Sequence, residues 1–437
     1  MVKKISSRGI ERVPACISIG ILAWNEAEAI GATLHSLFRQ SLFAELNQRQ
    51  LNCEILCVAN GCTDQTAAIA EAVFGEQKRA HPFNQVIHCR ALNLPARGKN
   101  NAWNQFVHTF SAHEAQILFL MDGDIVLQHP DTLWNMYTTL LESSKGSIAT
   151  DQPIKNIALR PKKSLWERLS LATSRMTQRG GAQLTGQLYA IRAAVARNIY
   201  LPRDLVACED GFIKAITCTC FLTRELDAER VVVAPNASHI FQAYTAFGDI
   251  LRNQKRQMIG QTIVHLLVDD YLKNLPLEQR LNLAETIRAK EEREPDWLKR
   301  LIAAHLQRVR YFWRLFPDLL SFRFRRLAKV KGSKKLVHAP AAMGGFCVAL
   351  IAGWLAHRFL KKGATQYWPD TKSPQLKDLG APAIPCPEVT AQMRSAAVPS
   401  RSGPESLRGA PSDQDTRCGW GQLRSAPEQL HPESAAK

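Results

Sequence analysis

The chain has 437 residues, of which 46% are hydrophobic and 8% aromatic, so it can bury the core of one large domain or two smaller ones. Its formal net charge is +17. The stretch from Lys299 to Lys335 carries twelve Lys or Arg against the single acid Asp318, so the positive charge is largely local. A local basic patch indicates an anionic partner, either a membrane or a nucleic acid, and excludes a uniformly basic chain.

The eleven cysteines show no spacing typical of metal ligands, and their odd number argues against a complete disulfide framework. We expect free thiols in a reducing compartment. No secretory signal opens the chain, because MVKKISSRGIERVP leads directly into a short apolar run. We therefore expect the first domain to lie on the cytoplasmic face of a membrane.

Residues 1–245 alternate apolar runs with segments of helical spacing. The runs are CISIGILAW, CEILCVAN, QVIHCRAL and AQILFLMDGD, and a helix-like segment follows each. This alternation predicts an α/β domain with a mostly parallel sheet flanked by helices. Ligands on such a sheet bind beyond the carboxyl ends of the strands. Polar clusters lie there at Asn25–Glu26, Asn60–Asp64 and Asp122–Asp124.

Three further segments follow. Residues 246–336 are predicted to be helical, basic and amphipathic, with aromatic and arginine residues alternating after Arg308 in a pattern typical of a membrane interface. Residues 337–362 contain eighteen consecutive uncharged residues, 339–356, which is just long enough for a membrane anchor helix, although a buried core helix is the alternative. Basic residues flank both ends, so the topology stays open. Residues 363–437 are rich in Pro, Ser and Ala and are predicted to be a disordered tail.

Asp122 and Asp124 end a strongly apolar strand, ILFLM, and only Gly123 separates them. Two carboxylates at the tip of a buried strand are costly unless a cation neutralises them. Mg²⁺ or Mn²⁺ that also binds a diphosphate fits this pattern, because such ions prefer a few oxygen ligands completed by substrate phosphate. A turn with two solvated aspartates is the alternative.

With this triplet, the region from about Ile17 to Gln261 resembles the inverting family 2 glycosyltransferases, whose fold is called GT-A. ISIGILAWNEAEAIGATLHSL resembles the opening strand and helix of that family, and ILCVANGCTDQT resembles its second strand. ARGKNNAWN resembles its Gly-Lys-x-x-Ala-x-Asn segment, FLMDGDI its metal-binding triplet, and ACEDGFI the Glu-Asp pair that supplies the general base. The resemblance implies a set of nucleotide-binding residues: Asn25, Glu26, Asp64, Gly98, Lys99, Asp122 and Arg256. It implies Asp124 and Asp122 as metal ligands, and Asp210 as the base with Glu209 as the second choice.

Each role has an alternative. Asp64 either accepts a hydrogen bond from the nucleobase or caps the helix that begins at Thr66. Lys99 either offsets the charge of the diphosphate or is merely solvated, whereas Gly98 permits close approach of the backbone. Glu209 and Asp210 either serve the reaction, which needs a base to deprotonate a sugar hydroxyl, or only begin a helix.

Three aromatic or basic features complete the prediction. Many processive and lipid-acceptor members carry Gln or Arg, two residues and then Arg-Trp after the base. Here Arg256 is followed by Gln257, which argues against processive polymer synthesis and against a stacking role at this position. Trp24 and Trp103 lie near the predicted cleft, where stacking on a sugar is one interpretation, although core packing is the better interpretation of each. His239 is either a third metal ligand or a structural histidine.

The sequence therefore predicts a glycosyltransferase that uses a nucleotide-sugar donor, with a uridine diphosphate sugar favoured, and a lipid or glycan acceptor at a membrane. A metal-dependent nucleotidyltransferase acting on sugar phosphates would also hold a metal with carboxylates on an α/β sheet. A nucleic-acid-binding protein would explain the charge, but its cations should line a folded groove rather than precede an apolar segment. We expect no nucleic-acid partner.

Overall fold

The fold is described from a computed structural model, which covers residues 16–163, 183–244, 246–309, 311–316 and 334–363, with a few single residues in the gaps. The predicted tail lies outside the described residues except for Gly363.

Eight strands form one sheet within the described residues. The strands are β1 (Ile17–Ala23), β2 (Cys53–Asn60), β3 (Ile87–Leu94), β4 (Ile117–Asp122), β5 (Val126–Leu127), β6 (Ile148–Lys155), β7 (Leu188–Arg192) and β8 (Val231–Phe241). Their spatial order is β3-β2-β1-β4-β7-β6-β8-β5. The first four strands in this order pair in parallel, as does β6 with β8, whereas β7 runs antiparallel to both β4 and β6, and β5 antiparallel to β8.

The predicted α/β architecture is confirmed: the sheet is mixed and helices flank it. The four apolar runs form β1 to β4, because a strand covered by helices on both faces is apolar on both faces. Every residue of β1 and β2 is buried. The antiparallel strand β7 was not foreseen, and it inserts between β4 and β6.

Helices cover the sheet. The helices are α1 (Ile30–Phe38), α2 (Leu42–Gln48), α3 (Thr66–Ala80), α4 (Lys99–Gln105), α5 (Thr132–Glu142), α6 (Asn156–Leu159), α7 (Ala193–Arg197), α8 (Glu209–Cys218), α9 (Phe247–His265), α10 (Leu277–Leu281), α11 (Leu283–Arg293), α12 (Trp297–Arg308) and α13 (Lys334–Lys361). Two of these helices continue into wider, π-helical turns: Phe106–Phe110 after α4 and Leu266–Tyr271 after α9.

The core lies on both faces of the sheet. On one face, Leu34, Leu37 and Phe43 pack against β1 and β2, while Trp103 and Phe106 belong to the cluster on the other face. Gly20 in β1 makes the second contact possible, because a Cβ atom there would lie 2.7 Å from the ring of Phe106. Because Gly20 has no side chain, the segment after α4 lies close to the sheet. This contact positions the beginning of α4 at the carboxyl end of the strands.

Candidate active site

The loops after β1 and β2 are tied together by polar contacts. Asn25 has a left-handed backbone (φ 54°), and its Oδ1 accepts a hydrogen bond from the Thr63 amide at 2.8 Å. The Asp64 carboxylate accepts hydrogen bonds from the Ala27 amide at 3.0 Å and from the amide and hydroxyl of Thr66 at 3.0 and 2.5 Å. Asn25 and Asp64 therefore fix the shape of this edge of the cleft.

Asp64 contacts the first turn of α3, which agrees with its interpretation as a capping residue, and its contact with a nucleobase stays a prediction. Burial alone would raise the pKa of its carboxyl, but the hydrogen bonds from Thr66 and Ala27 outweigh it and lower the pKa. The contact with the Thr66 amide stabilises the first turn of α3, as expected for a capping aspartate. Glu26 lies beside this turn, where its amide donates to the Thr66 hydroxyl at 2.8 Å.

Gly98 and Lys99 lie at the start of α4. Gly98 has a φ of 142°, a value that side chains rarely tolerate, and its carbonyl accepts from Asn60 Nδ2 at 2.6 Å. Asn101 Nδ2 in turn donates to Asn60 Oδ1 at 2.9 Å. The carboxyl end of β2 therefore holds the first turn of α4 and directs Lys99 along the edge of the sheet.

Lys99 joins the two acidic groups of the site. Its Nζ lies 2.8 Å from Asp122 Oδ1 and 2.9 Å from Glu209 Oε1, and it donates to the Gly186 carbonyl at 3.3 Å. Burial alone would lower the pKa of Lys99, but the attraction of Asp122 and Glu209 outweighs it and raises the pKa above its usual range. Lys99 is therefore a charged amine paired within the protein, so the interpretation as a merely solvated lysine is wrong.

Asp122 and Asp124 occupy the tip of β4. The Asp122 amide donates to the Gln187 carbonyl at 2.8 Å, and the Gly123 amide donates to the Leu22 carbonyl at 3.0 Å. Burial raises the pKa of Asp122 to about 6, partly offset by Lys99 and reinforced by the charge of Asp124. The two carboxylates are therefore close enough to interact, as the triplet predicted.

Glu209 and Asp210 begin α8 and face the same cleft. Cys208, just before them, has a left-handed backbone (φ 63°), which turns the chain into the helix. Lys99 lowers the pKa of Glu209 against the opposing effect of burial. Burial and the adjacent charge of Glu209 raise the pKa of Asp210 to about 6. Two neighbouring carboxylates thus have pKa values shifted in opposite directions, an arrangement suited to one ionised partner and one proton acceptor.

Arg256 approaches this acidic pair from α9. Its charge lowers the pKa of both Glu209 and Asp210. The helix that carries it lies very close to the chain before α8, because a Cβ atom at Gly260 would lie 2.6 Å from the Ala207 carbonyl oxygen. Cys208 Sγ also lies 3.3 Å from Gln257 Oε1. Arg256 therefore belongs to the site even though no tryptophan follows it.

The two tryptophans and the histidine that the sequence singled out make contacts within the protein. Trp103 is 1% exposed and donates from Nε1 to the Tyr189 hydroxyl at 2.7 Å, while Trp24 is 9% exposed and lies 3.6 Å from the guanidinium of Arg97. His239 is fully buried, with Nδ1 2.7 Å from Asp151 Oδ2 and Nε2 3.4 Å from Gln187 Oε1. Both ring nitrogens thus lie next to protein oxygens, which favours the structural interpretation of His239.

The sequence did not single out Gly186 and Gln187, which precede β7. A Cβ atom on Gly186 would lie 3.2 Å from Glu209 Oε1 and 3.5 Å from Asp210 Cβ, so this glycine lets the acidic pair approach Lys99. Gln187 supports Asp122 through its backbone carbonyl. The only local signal was a Thr-Gly-Gln turn before an apolar run, which is common in proteins without a site.

The two carboxylates of the triplet fit a divalent cation that is shared with a substrate. Among the described residues, no group of three or more His, Cys, Asp or Glu is arranged to hold a metal ion. Asp122 and Asp124 offer oxygen ligands from one strand tip, and Mg²⁺ and Mn²⁺ commonly take only one or two carboxylates and complete their shell with phosphate oxygens and water. The donor set therefore suits an ion that binds together with a diphosphate.

The fold, the acidic site and a family model together indicate the class of protein that the chain resembles. The chain has a mixed sheet flanked by helices, with acidic side chains from β4 and α8 gathered around one lysine at the carboxyl edge of the parallel strands. Residues 18–195 match the family model described as glycosyl transferase family 2. This segment, which is less than half of the chain, is therefore similar to glycosyl transferase family 2, and the similarity supports a glycosyltransferase.

Three of the solved structures that match the chain do so at low sequence identity. A mannosyltransferase from Pyrobaculum calidifontis, in complex with GDP-Man and Mn²⁺, is 15% identical with a TM-score of 0.45 and covers 79% of this chain and 88% of its own. TarS 1–349 from S. aureus is 15% identical with a TM-score of 0.38, covering 82% and 98%. Glucosyl-3-phosphoglycerate synthase from Mycobacterium tuberculosis is 15% identical with a TM-score of 0.36, covering 57% and 79%. No curated protein matches the sequence significantly.

Proposed function

We propose that the chain transfers a sugar from a nucleotide diphosphate sugar to an acceptor hydroxyl, with inversion at the anomeric carbon. The observation that carries this proposal is the convergence of Asp122, Glu209 and Asp210 on Lys99 at the carboxyl edge of the sheet. A single displacement needs a proton acceptor on one side of the sugar and stabilisation of the departing diphosphate on the other. The site supplies carboxylates from two elements for these tasks.

Asp210 is the proposed base. A sugar hydroxyl attacks poorly unless a nearby group removes its proton as the new bond forms. Asp210 has a pKa raised to about 6, closer to neutral pH than an ordinary aspartate, so it accepts a proton more readily while remaining mostly ionised. Glu209 is paired with Lys99 and is better suited to positioning. The proton moves from the acceptor oxygen to Asp210, and the sugar–phosphate bond breaks.

Asp124 and Asp122 would hold Mg²⁺ or Mn²⁺. The ion would neutralise charge on the leaving diphosphate when bound. Arg256 and Lys99 both interact with the acidic groups, and we propose that they bind phosphate oxygens once the donor arrives. Asp64, with Asn25 and Glu26 beside it, would border the nucleobase pocket, and we favour uridine as the base.

The acceptor is proposed to be a lipid or glycan at a membrane surface. One helix is long and apolar enough to cross a membrane among the described residues, Ala342–Lys361, with mean hydropathy 1.4. The basic stretch between Lys299 and Lys335 precedes it and would attract anionic lipid. This arrangement would hold the cleft close to acceptors embedded in lipid.

The proposal is tested with a panel of nucleotide sugars and purified full-length protein, with and without Mn²⁺ or Mg²⁺. We expect metal-dependent release of nucleoside diphosphate, reduced about 100-fold or more by Asp124→Asn and by Asp210→Asn. Asp131→Asn changes an aspartate that is 45% exposed near the start of α5 and serves as the matched control. Release of pyrophosphate would instead identify a nucleotidyltransferase, and full activity of both site variants would remove the proposed mechanism.

A further inference from the structure

The apolar helix α13 has two different faces. Its inner face consists of small or buried residues that pack on the domain: Ala349 (2% exposed), Ala352 (0%), Ala356 (0%) and Leu360 (6%). Gly353 lies on the same side, where a Cβ atom would contact Phe316 and Met258 at 3.4 and 3.6 Å. The helix therefore lies along α9 rather than standing apart from the domain.

The opposite side is an exposed apolar stripe at helical spacing. Met343 is 55% exposed, Ile351 47% and Trp354 45%, and Cys347 and Arg358 lie on the same stripe and are also exposed. Only 28% of the apolar segment Ala342–Lys361 is buried inside the protein. A continuous exposed apolar face on a soluble domain marks an interaction surface.

Aromatic side chains next to α13 extend this stripe. Tyr311 and Trp313 stack with ring centroids 4.7 Å apart and are 39% and 50% exposed. Phe312, between them, lies 6.5 Å from the ring of His357, which places the pair beside the helix. Exposed tyrosine and tryptophan are typical of the boundary between lipid headgroups and acyl chains. We call the stripe and this aromatic pair together the outer face.

The charged residues that the structure describes on and beside the outer face are basic. Arg358 lies 4.8 Å from the ring of Trp354 and Arg314 lies 5.9 Å from the ring of Tyr311, and Lys361 and Lys362 are exposed at the end of the helix. From Trp297 to Gly363 the sequence contains a single acid, Asp318. An apolar strip bordered by cations complements a bilayer that contains anionic lipids.

The packing of α13 is incompatible with a simple span. The helix contacts α9 almost to its own end, where Lys255 Nζ lies 4.6 Å from the ring of Phe359. The partner helix carries Asp249, Arg252, Lys255 and Arg256, and such residues are very costly in the hydrocarbon core of a bilayer. A helix fixed along α9 can therefore offer lipid only its outer side.

We propose that α13 lies in the plane of an anionic bilayer surface, with the outer face inserted among the headgroups and the inner face on α9, and does not cross the membrane. This deepens the membrane-surface part of the proposed function and rests on it. Insertion of such a face reaches only about 5–10 Å into the headgroup boundary. The catalytic domain and the chain beyond Gly363 then lie on the same side of the membrane.

Flotation with vesicles tests the surface without any sugar-transfer assay, so failure of binding and failure of catalysis are distinguishable. We expect full-length protein to float with vesicles that contain about 30% phosphatidylglycerol, and to bind neutral phosphatidylcholine less well. The double variant Ile351→Asp/Trp354→Asp should bind at least about tenfold less. Leu141→Asp changes a leucine that is 45% exposed on α5 and should bind as the parent does.

Three outcomes would overturn the proposal. They are equal flotation of the double variant at an unchanged melting temperature, preference for nucleic acid over vesicles, and a dimer in solution that the double variant dissolves. Ile351→Ala/Trp354→Ala provides a milder variant if the charged one does not fold. Sidedness of terminal tags in cell membranes tests the orientation: protease should reach both termini from one side, whereas access to the carboxyl terminus only from the other side would show a span.

Discussion

At the scale of single residues, the site depends on one lysine that separates two buried carboxylates. Lys99 lies within 2.9 Å of oxygens from both Asp122 and Glu209, although these acids are far apart in the sequence. Two acids so close would repel each other and take up protons without a cation between them. The arrangement also places the Lys99 ammonium where a diphosphate would bind, because phosphate oxygens can replace carboxylates as its partners.

Lys99→Met should reduce turnover about tenfold or more and lower the free energy of unfolding by about 2 kcal/mol, because Asp122 and Glu209 lose their shared partner in a largely buried setting. Steady-state kinetics and chemical denaturation measure the two effects. Lys145→Met removes an exposed pair with Glu229 and should change neither. Unaltered kinetics for Lys99→Met would show that the lysine is dispensable.

The pH profile should report Asp210. A base must be ionised to accept a proton, and the pKa of Asp210 is raised to about 6 by burial and by Glu209. Activity should therefore be lost as pH falls through 6 and be constant above about pH 7. For one titrating group kcat/KM at pH 5 should be about a tenth of its plateau. Asp122, whose pKa is also raised to about 6, would make the acid limb steeper. A flat profile between pH 5 and 8 would exclude Asp210 as the base.

At the scale of elements, the contact between α9 and the chain before α8 brings Arg256 to the acidic pair. Gly260 is the residue that permits this contact, because any side chain there would collide with the Ala207 carbonyl and Cys208 Sγ. Helices can approach so closely only where a small residue removes the side chain between them.

Gly260→Ala should lower the free energy of unfolding by about 1–3 kcal/mol and reduce activity, since the added methyl group forces α9 away from Ala207. Thermal melting and donor turnover measure these effects. Gly248→Ala, on the same helix, meets no atom within 4 Å and should be neutral or slightly stabilising. Equal behaviour of the two variants would show that the close contact is unimportant.

At the scale of the whole molecule, α13 joins the core that also contains parts of the catalytic domain. Ala352 and Ala356 belong to the same buried cluster as Trp103 and Phe212. The inner face of α13 packs on α9, so the predicted anchor helix contributes to the core of the domain. The division of the chain into four segments stays a prediction.

Ala352→Leu should destabilise the protein by about 1–3 kcal/mol, because the residue is fully buried between α13 and the domain and has no room for a larger side chain. The exposed neighbour Ile351 gives the control, since Ile351→Ala alters a side chain that is 47% exposed and should leave the melting temperature nearly unchanged. An unchanged stability of the Ala352→Leu variant would indicate that α13 detaches easily from α9.

Local chemistry made much of the site predictable. Asp64 follows a strand-like run, and Gly98 lies just before a helix start. The role of Asp64 in a turn and the left-handed backbone of Gly98 follow from their residue types. The apolar runs that became β1 to β4 were recognisable because buried parallel strands are apolar on both faces. Short motifs identify Asp122, Asp124, Glu209 and Asp210, and in the structure these acids lie close enough to interact with Lys99 or with one another.

Contacts between distant segments were not predictable. The sequence did not indicate that Lys99 would pair with Asp122 and Glu209, that Gly186 would leave room for both acids, or that β7 would run antiparallel beside β4. The same holds for α13, whose apolar composition suits a span, a core helix or a helix lying on lipid. Residue type and local spacing determine which elements form, whereas pairing energies and close packing across the whole chain decide which side chains meet. The ion pairs of Lys99 and the packing of α13 against α9 were therefore decided only by the tertiary structure.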